Sequence, residues 1–156
     1  MLRHLLFLYG MTRQVLFLAF LLLSSAYAFI KGGQPERIGA ATLLGGASLT
    51  VVVASPLGIR FQAVETGILI IDLSLVGIFL WLSIRSTRFW PIWIAAMLGA
   101  EVIIHVALII APNVVPRAYM HALALWSWFA QLVLVIATWR HRMRLTRLGA
   151  DVPWKI

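Results

Sequence analysis

Glu101 and His105 stand inside a stretch, 90–111 (WPIWIAAMLGAEVIIHVALIIA), that is otherwise apolar and long enough to cross a bilayer. Four residues apart, they share one face of a helix. An ionisable side chain at membrane depth costs roughly 3 kcal/mol or more unless it finds a partner or water. Three more polar side chains lie in neighbouring apolar runs: Asp72 in 66–84, and His121 and Gln131 in 118–139. Carboxylates out of water hold their protons more tightly, and imidazole titrates near neutrality, so this set suits proton or cation handling. Two His and two carboxylates are also ligand types for iron, manganese or zinc, and a His pair can ligate haem. The third reading is structural, with Asp72, Glu101, His105 and His121 satisfying one another and Ser48, Thr50 or Ser74 helping. Spacing weighs against a metal, because the pair reads Glu-x-x-x-His where di-iron bundles use Glu-x-x-His. A haem between His105 and His121 also needs more room than the ~8–10 Å between packed helices.

The elements that must position these residues follow from composition. The chain is 62% hydrophobic, with a mean hydropathy of +0.97, above the roughly 45–50% apolar content of soluble domains. Five apolar runs near 14–30, 38–55, 66–84, 90–111 and 118–139 are separated by Gly, Pro and basic residues. Each has about 17–22 residues, against about 20 needed to span. Ten-residue alternation of the β-barrel kind is absent from the sequence. Backbone groups in lipid must be satisfied within the chain. The expected fold is therefore an all-α integral membrane protein, a five-helix transmembrane bundle formed as one domain over 1–156, with a basic tail at 140–156. Pro35 and Glu36 are placed to open the second helix. In that helix Ala41 and Gly45, Thr42 and Gly46, and Gly46 and Thr50 recur at four-residue spacing. This suits packing inside one bundle, or a dimer seam.

Basic residues set the orientation. One side holds Lys31, Arg37, Arg85, Arg88, Arg140, Arg142, Arg144, Arg147 and Lys155, and the other only Arg3, Arg13, Arg60 and Arg117. The richer side is expected in the cytoplasm, putting the N-terminus outside and the C-terminus inside. The same charge pattern makes 14–30 a first helix, although Ala26-Tyr27-Ala28 also fits a signal-peptide cleavage site. Met11 is an alternative start of the chain. Tyr27, Phe29, Trp81, Phe89, Trp90, Trp93 and Trp139 mark the inner interface, and Phe61 and Tyr119 the outer one. At 1.5 Å per residue, Asp72 lies about 9–12 Å from the outer face, His105 about 10 Å, Glu101 about 16 Å and His121 roughly 7 Å. They form one layer in the outer half. On the last helix His121, Leu125, Trp128 and Gln131 share a face, read as core or as a groove for a quinone or lipid. His4 and His141 fall outside the slab and are read as solvated.

Absent motifs narrow the field further. With no Cys there is no disulfide, thiolate site or Cys nucleophile. There is no H-E-x-x-H, G-x-S-x-G or Walker sequence, so an enzyme has little support. Net charge is +8, without a polar basic face for nucleic acid; the basic tail suits anionic lipids instead. From Gln34 onward, QPERIGA (34–40), RSTRFWPIWIAAM (85–97) and TWRHRMRL (138–145) resemble small multi-pass proteins of bacterial inner membranes. The resemblance implies that setting and brings no function, catalytic residue or binding residue with it. The expectation is a non-enzymatic structural or accessory subunit that packs against itself or a larger complex. The alternatives are a small oligomeric transporter or proton-coupled carrier, or a haem or metal protein.

Overall fold

A computed structural model describes residues 2–54, 65–110 and 116–155, with side chains described outside 2–11 and 116–117. Five helices account for nearly all of it: α1 (Leu2–Lys31), α2 (Gln34–Val53), α3 (Thr66–Arg85), α4 (Trp90–Ile110) and α5 (Pro116–Leu148). Among the described residues there is no strand, only an isolated antiparallel bridge between Ser86 and Trp154. All five helices are long and apolar enough to cross a membrane. Their surfaces agree with their composition. Val52 and Ile110 are each 79% exposed and Leu23 is 70% exposed, an apolar exterior that water would penalise and lipid does not.

Each helix packs on the next in sequence, α1 closes the ring on α5, and α2 also touches α5. α1 and α5 run the same way, since Arg13 meets His121 and Phe17 meets Trp128. The apolar core lies between the helices and is built from Phe79, Leu82, Ile94, Leu98, Ala130 and Leu134. A smaller cluster of Leu108, Tyr119 and Leu123 sits towards the start of α5.

Local chemistry sets the helix ends. Pro35 opens α2, and the Glu36 carboxylate reaches back to accept from the Gly33 backbone N–H at 3.1 Å, the N3 half of a capping box. Pro91 sits in the first turn of α4, where a missing N–H costs nothing. α5 ends at Gly149, which takes a left-handed φ of 71° and donates its N–H to Leu145 at 3.0 Å. Pro56-Leu57-Gly58, which by its Pro and Gly reads as a helix stop, and positions 112–115 of the Pro-bounded break 112–116 lie outside the described residues, while Pro116 opens α5.

The first and last helices run past the expected spans: α1 begins at Leu2 and α5 continues to Leu148, beyond 14–30 and 118–139, so the basic run of the tail is mostly helix. Two interface assignments need correction. Trp90 is no interface anchor, being buried at 9% exposure against Gly39 and Glu36. Tyr119, read as an outer interface marker, is 2% exposed. Trp81, Phe89, Trp93 and Trp139 do face outward.

The small residues of α2 divide between two faces. A Cβ on Gly46 would meet Leu75 at 2.7 Å, and one on Gly39 would meet the Trp90 ring at 2.6 Å. That is close packing within the bundle. Gly45 meets nothing within 4 Å and borders a groove of about 220 Å³ between α2 and α3, beside Ala41, Ser74 and Ile78. Gly39→Val is expected to lower stability by about 1–3 kcal/mol through overpacking. Gly45→Ala should stay within about 0.5 kcal/mol of wild type. Thermal unfolding of the two variants in one mild detergent checks both.

Candidate functional site

Three helices bring part of the expected layer together. His105 of α4 is fully buried, and its Nε2 lies 3.1 Å from Asp72 Oδ2 of α3. The Tyr119 hydroxyl of α5 meets His105 Nδ1, and the two rings stand edge-on with centroids 5.4 Å apart. With Nε2–H donating to the carboxylate, Nδ1 is left to accept from Tyr119 O–H, so the neighbours fix the tautomer. The result is a buried series, Asp72–His105–Tyr119, crossing α3, α4 and α5. Both ring nitrogens are engaged, and neither offers a lone pair to a metal in this arrangement. One helical turn away, Glu101 is 5% exposed and accepts from Ser127 Oγ of α5 at 2.7 Å.

The remaining predicted residues stand elsewhere. His121 is exposed and pairs with Arg13 of α1 rather than with Asp72 or Glu101. Gln131 is 1% exposed, and among the described residues neither of its amide atoms finds a hydrogen-bond partner, nor does the Ser25 hydroxyl of α1. Ser48 and Ser74 donate to their own helix backbones, at Leu44 and Ile70, and take no part in the layer. Trp128 packs on Phe17 and Phe20 of α1, so the middle of the expected α5 stripe is helix packing, while Leu125 is half exposed. Among the described residues no group of three or more His, Cys, Asp or Glu could hold a metal ion.

A second polar cluster lies at the basic end of the bundle, where α1 ends at Lys31, α2 begins at Gln34, α3 ends at Arg85 and α4 begins at Trp90. Glu36 is 0% exposed. It accepts from Trp90 Nε1 at 3.0 Å and lies 3.5 Å from Arg88 Nε, an ion pair rather than a hydrogen bond. Arg88 Nη1 donates to Asp151 Oδ1 at 2.5 Å, His141 Nδ1 lies 2.5 Å from Asp151 Oδ2, and Arg144 Nε reaches both oxygens at 3.1 Å. His141 is therefore buried, at 6% exposure, and is not the solvated residue its position in the sequence suggests. The reason is the segment 149–155. It turns back at Gly149 and lies along the α3–α4 connection, with Thr87 N–H donating to Pro153 O at 3.1 Å and Lys155 N–H to Arg85 O at 2.9 Å. Trp154 Nε1 donates to Gln34 Oε1 at 2.5 Å. Sequence periodicity cannot see a non-helical strap. The signal that was available is the scarcity of acid: the chain has 5 acidic residues, and Glu36, Glu65, Asp72, Glu101 and Asp151 all have buried side chains.

Burial by itself raises the Asp151 pKa. The hydrogen bonds from Arg88, His141 and Arg144, with the nearby Arg88 charge, outweigh it and hold the carboxyl below its usual range.

No family model, curated protein or solved structure matches this chain; the geometry alone informs its function.

Two outcomes are expected. A double-mutant cycle on Asp72→Asn and His105→Ala should give a coupling of about 0.6–1.7 kcal/mol, whereas Asp72→Asn with His121→Ala should be additive within about 0.5 kcal/mol. Unfolding in detergent measures both. A carboxyl with a depressed folded pKa adds stability above its unfolded value of about 3.9, and that stability is lost as the pH falls through the folded value. Asp151→Asn should therefore lower stability near neutrality and flatten the loss below about pH 4, read from melting temperature against pH beside wild type.

Proposed function

We propose that this is a non-enzymatic structural or accessory subunit of a bacterial-type inner membrane, packing against copies of itself or within a larger complex. One observation carries the reading: three of the expected polar residues find partners across helices, His105 on Asp72 and Tyr119, and Glu101 on Ser127. Such bonds fix the rotation of α3, α4 and α5. The excess of Lys and Arg at the end bearing Lys31, Arg88 and Arg144 supports a cytoplasmic C-terminus and an external N-terminus. The basic α5 extension then lies against anionic headgroups of the inner leaflet.

A second reading, proton handling, is favoured by the serial order of Asp72, His105 and Tyr119. The series can take up one proton: Asp72 becomes a carboxylic acid donating to Nε2, Nδ1–H forms, and Tyr119 turns to accept from it. Wild-type and Asp72→Asn protein in proteoliposomes separate the two. The structural reading expects no proton flux from wild type, and an Asp72→Asn variant that assembles poorly or unfolds at lower temperature. Wild-type flux abolished in a well-folded Asp72→Asn protein would overturn it. Orientation is checked separately. The chain contains no Cys, so Ala150→Cys offers a unique thiol, expected to react with an impermeant maleimide only from the cytoplasmic side.

A further inference from the structure

Arg88, His141 and Arg144 converge on a single carboxylate, and the two sides of that contact are built differently. The cup belongs to fixed elements. His141 and Arg144 are one turn apart on α5, and Arg88 is held in the α3–α4 connection by its ion pair to Glu36 and by its backbone N–H donating to Ser86 Oγ at 3.2 Å. Arg88 and His141 are 7% and 6% exposed. The occupant belongs to a strap. Asp151 follows Gly149 and Ala150, both exposed, and apart from Asp151 the strap is held by two backbone hydrogen bonds to the α3–α4 connection, by Thr87 Oγ1 on Val152 O, and by Trp154 and Lys155 on Gln34 and the Ser83 carbonyl. Val152 is 61% exposed and Trp154 only half-buried. Glu36 balances Arg88 alone, so with Asp151 withdrawn the cup keeps the Arg144 charge and an imidazole able to donate. Charge-assisted donors arranged round one oxyanion recognise phosphate as well as carboxylate. Trp81, Trp93 and Trp139, exposed at 49%, 55% and 55%, place the cup near the level of lipid headgroups if the chain lies in a bilayer as read above.

We propose that Arg88, His141 and Arg144 form a phosphate-binding cup, and that Asp151 is its internal competitor, so the strap 149–155 occludes the site until a phosphate group displaces it. The chemistry sought is a phosphate monoester or diester, either free or in an anionic lipid headgroup. Displacement frees the strap, breaking its hydrogen bonds to Arg85, Thr87 and Gln34.

The test is binding to the full chain in a neutral detergent, by native mass spectrometry and by titration. The probes are inorganic phosphate, phosphatidylglycerol and, as control, phosphatidylcholine. Removing an internal competitor that is seated most of the time tightens apparent affinity by the inverse of the open fraction. Asp151→Ala is therefore expected to bind phosphatidylglycerol at least about tenfold more tightly than wild type, with little change for phosphatidylcholine. Arg144→Gln in the same background should reverse most of that gain. A gain for both anionic probes assigns the site to the phosphate group itself; a gain for phosphatidylglycerol alone assigns it to a lipid headgroup. Equal affinity in wild type and Asp151→Ala overturns the proposal. So does a gain that survives Arg144→Gln, which would mark a diffuse basic surface. If Asp151→Ala does not fold, amide exchange on wild type decides. Saturating anionic probe must then speed exchange at Thr87 and Lys155, and unchanged protection overturns the proposal. Inorganic phosphate reads the cup without a bilayer, so failure here is distinct from failure of the accessory-subunit reading.

Discussion

A carboxylate inside hydrocarbon has no solvent to fall back on. Its charge must be met by donors from the same chain, or its proton must stay on. The contact between Asp72 and His105 answers that constraint, and the packing around it follows. His105 is buried because both its nitrogens are engaged. Tyr119 is drawn inward because Nδ1 requires a donor, and with it come Leu108 and Leu123 of the cluster where α4 meets α5. Glu101, one turn along α4, takes the Ser127 hydroxyl from the same neighbour. Three helices are thereby fixed in rotation by polar contacts, while apolar packing of Phe79, Ile94 and Leu134 fills the space between them.

At the other end of the bundle the same rule governs two further buried carboxylates, Glu36 and Asp151. Glu36 caps its own helix, takes the Trp90 indole N–H and faces Arg88. Arg88 then passes the connection on to Asp151. A residue that begins as a local helix cap becomes the anchor for the α3–α4 connection and, through it, for the strap. All the acidic side chains of the chain are buried, so its outward charge is almost entirely basic.

Period and length made the five helices legible, because apolar runs of spanning length leave few other folds. Relative level was legible too: counting residues along the helices put Asp72 and His105 side by side, and the two meet. Rotation was not, because depth along an axis says nothing of direction around it. His121 shares the depth of His105 and turns towards Arg13 of α1 instead. Tyr119 went unnoticed as a site residue because an aromatic near a helix start also reads as an interface anchor. The basic-end cluster was hidden by the strap, whose contacts join residues as far apart as Gln34 and Trp154 with no periodic pattern between them.

The order in which the chain emerges during synthesis gives Glu36 a particular history. Its partners Arg88 and Trp90 lie two helices later, Trp90 being 54 residues on. Until α4 arrives, Glu36 has only the Gly33 amide to meet its charge. A nascent α2 without α4 would therefore carry a carboxylate lacking the indole and guanidinium that meet it in the finished fold. Asp151 comes later still in the chain, so the contacts of the basic end can be completed only once all five helices have been made. The buried acid thus ties the packing of an early helix to residues made much later.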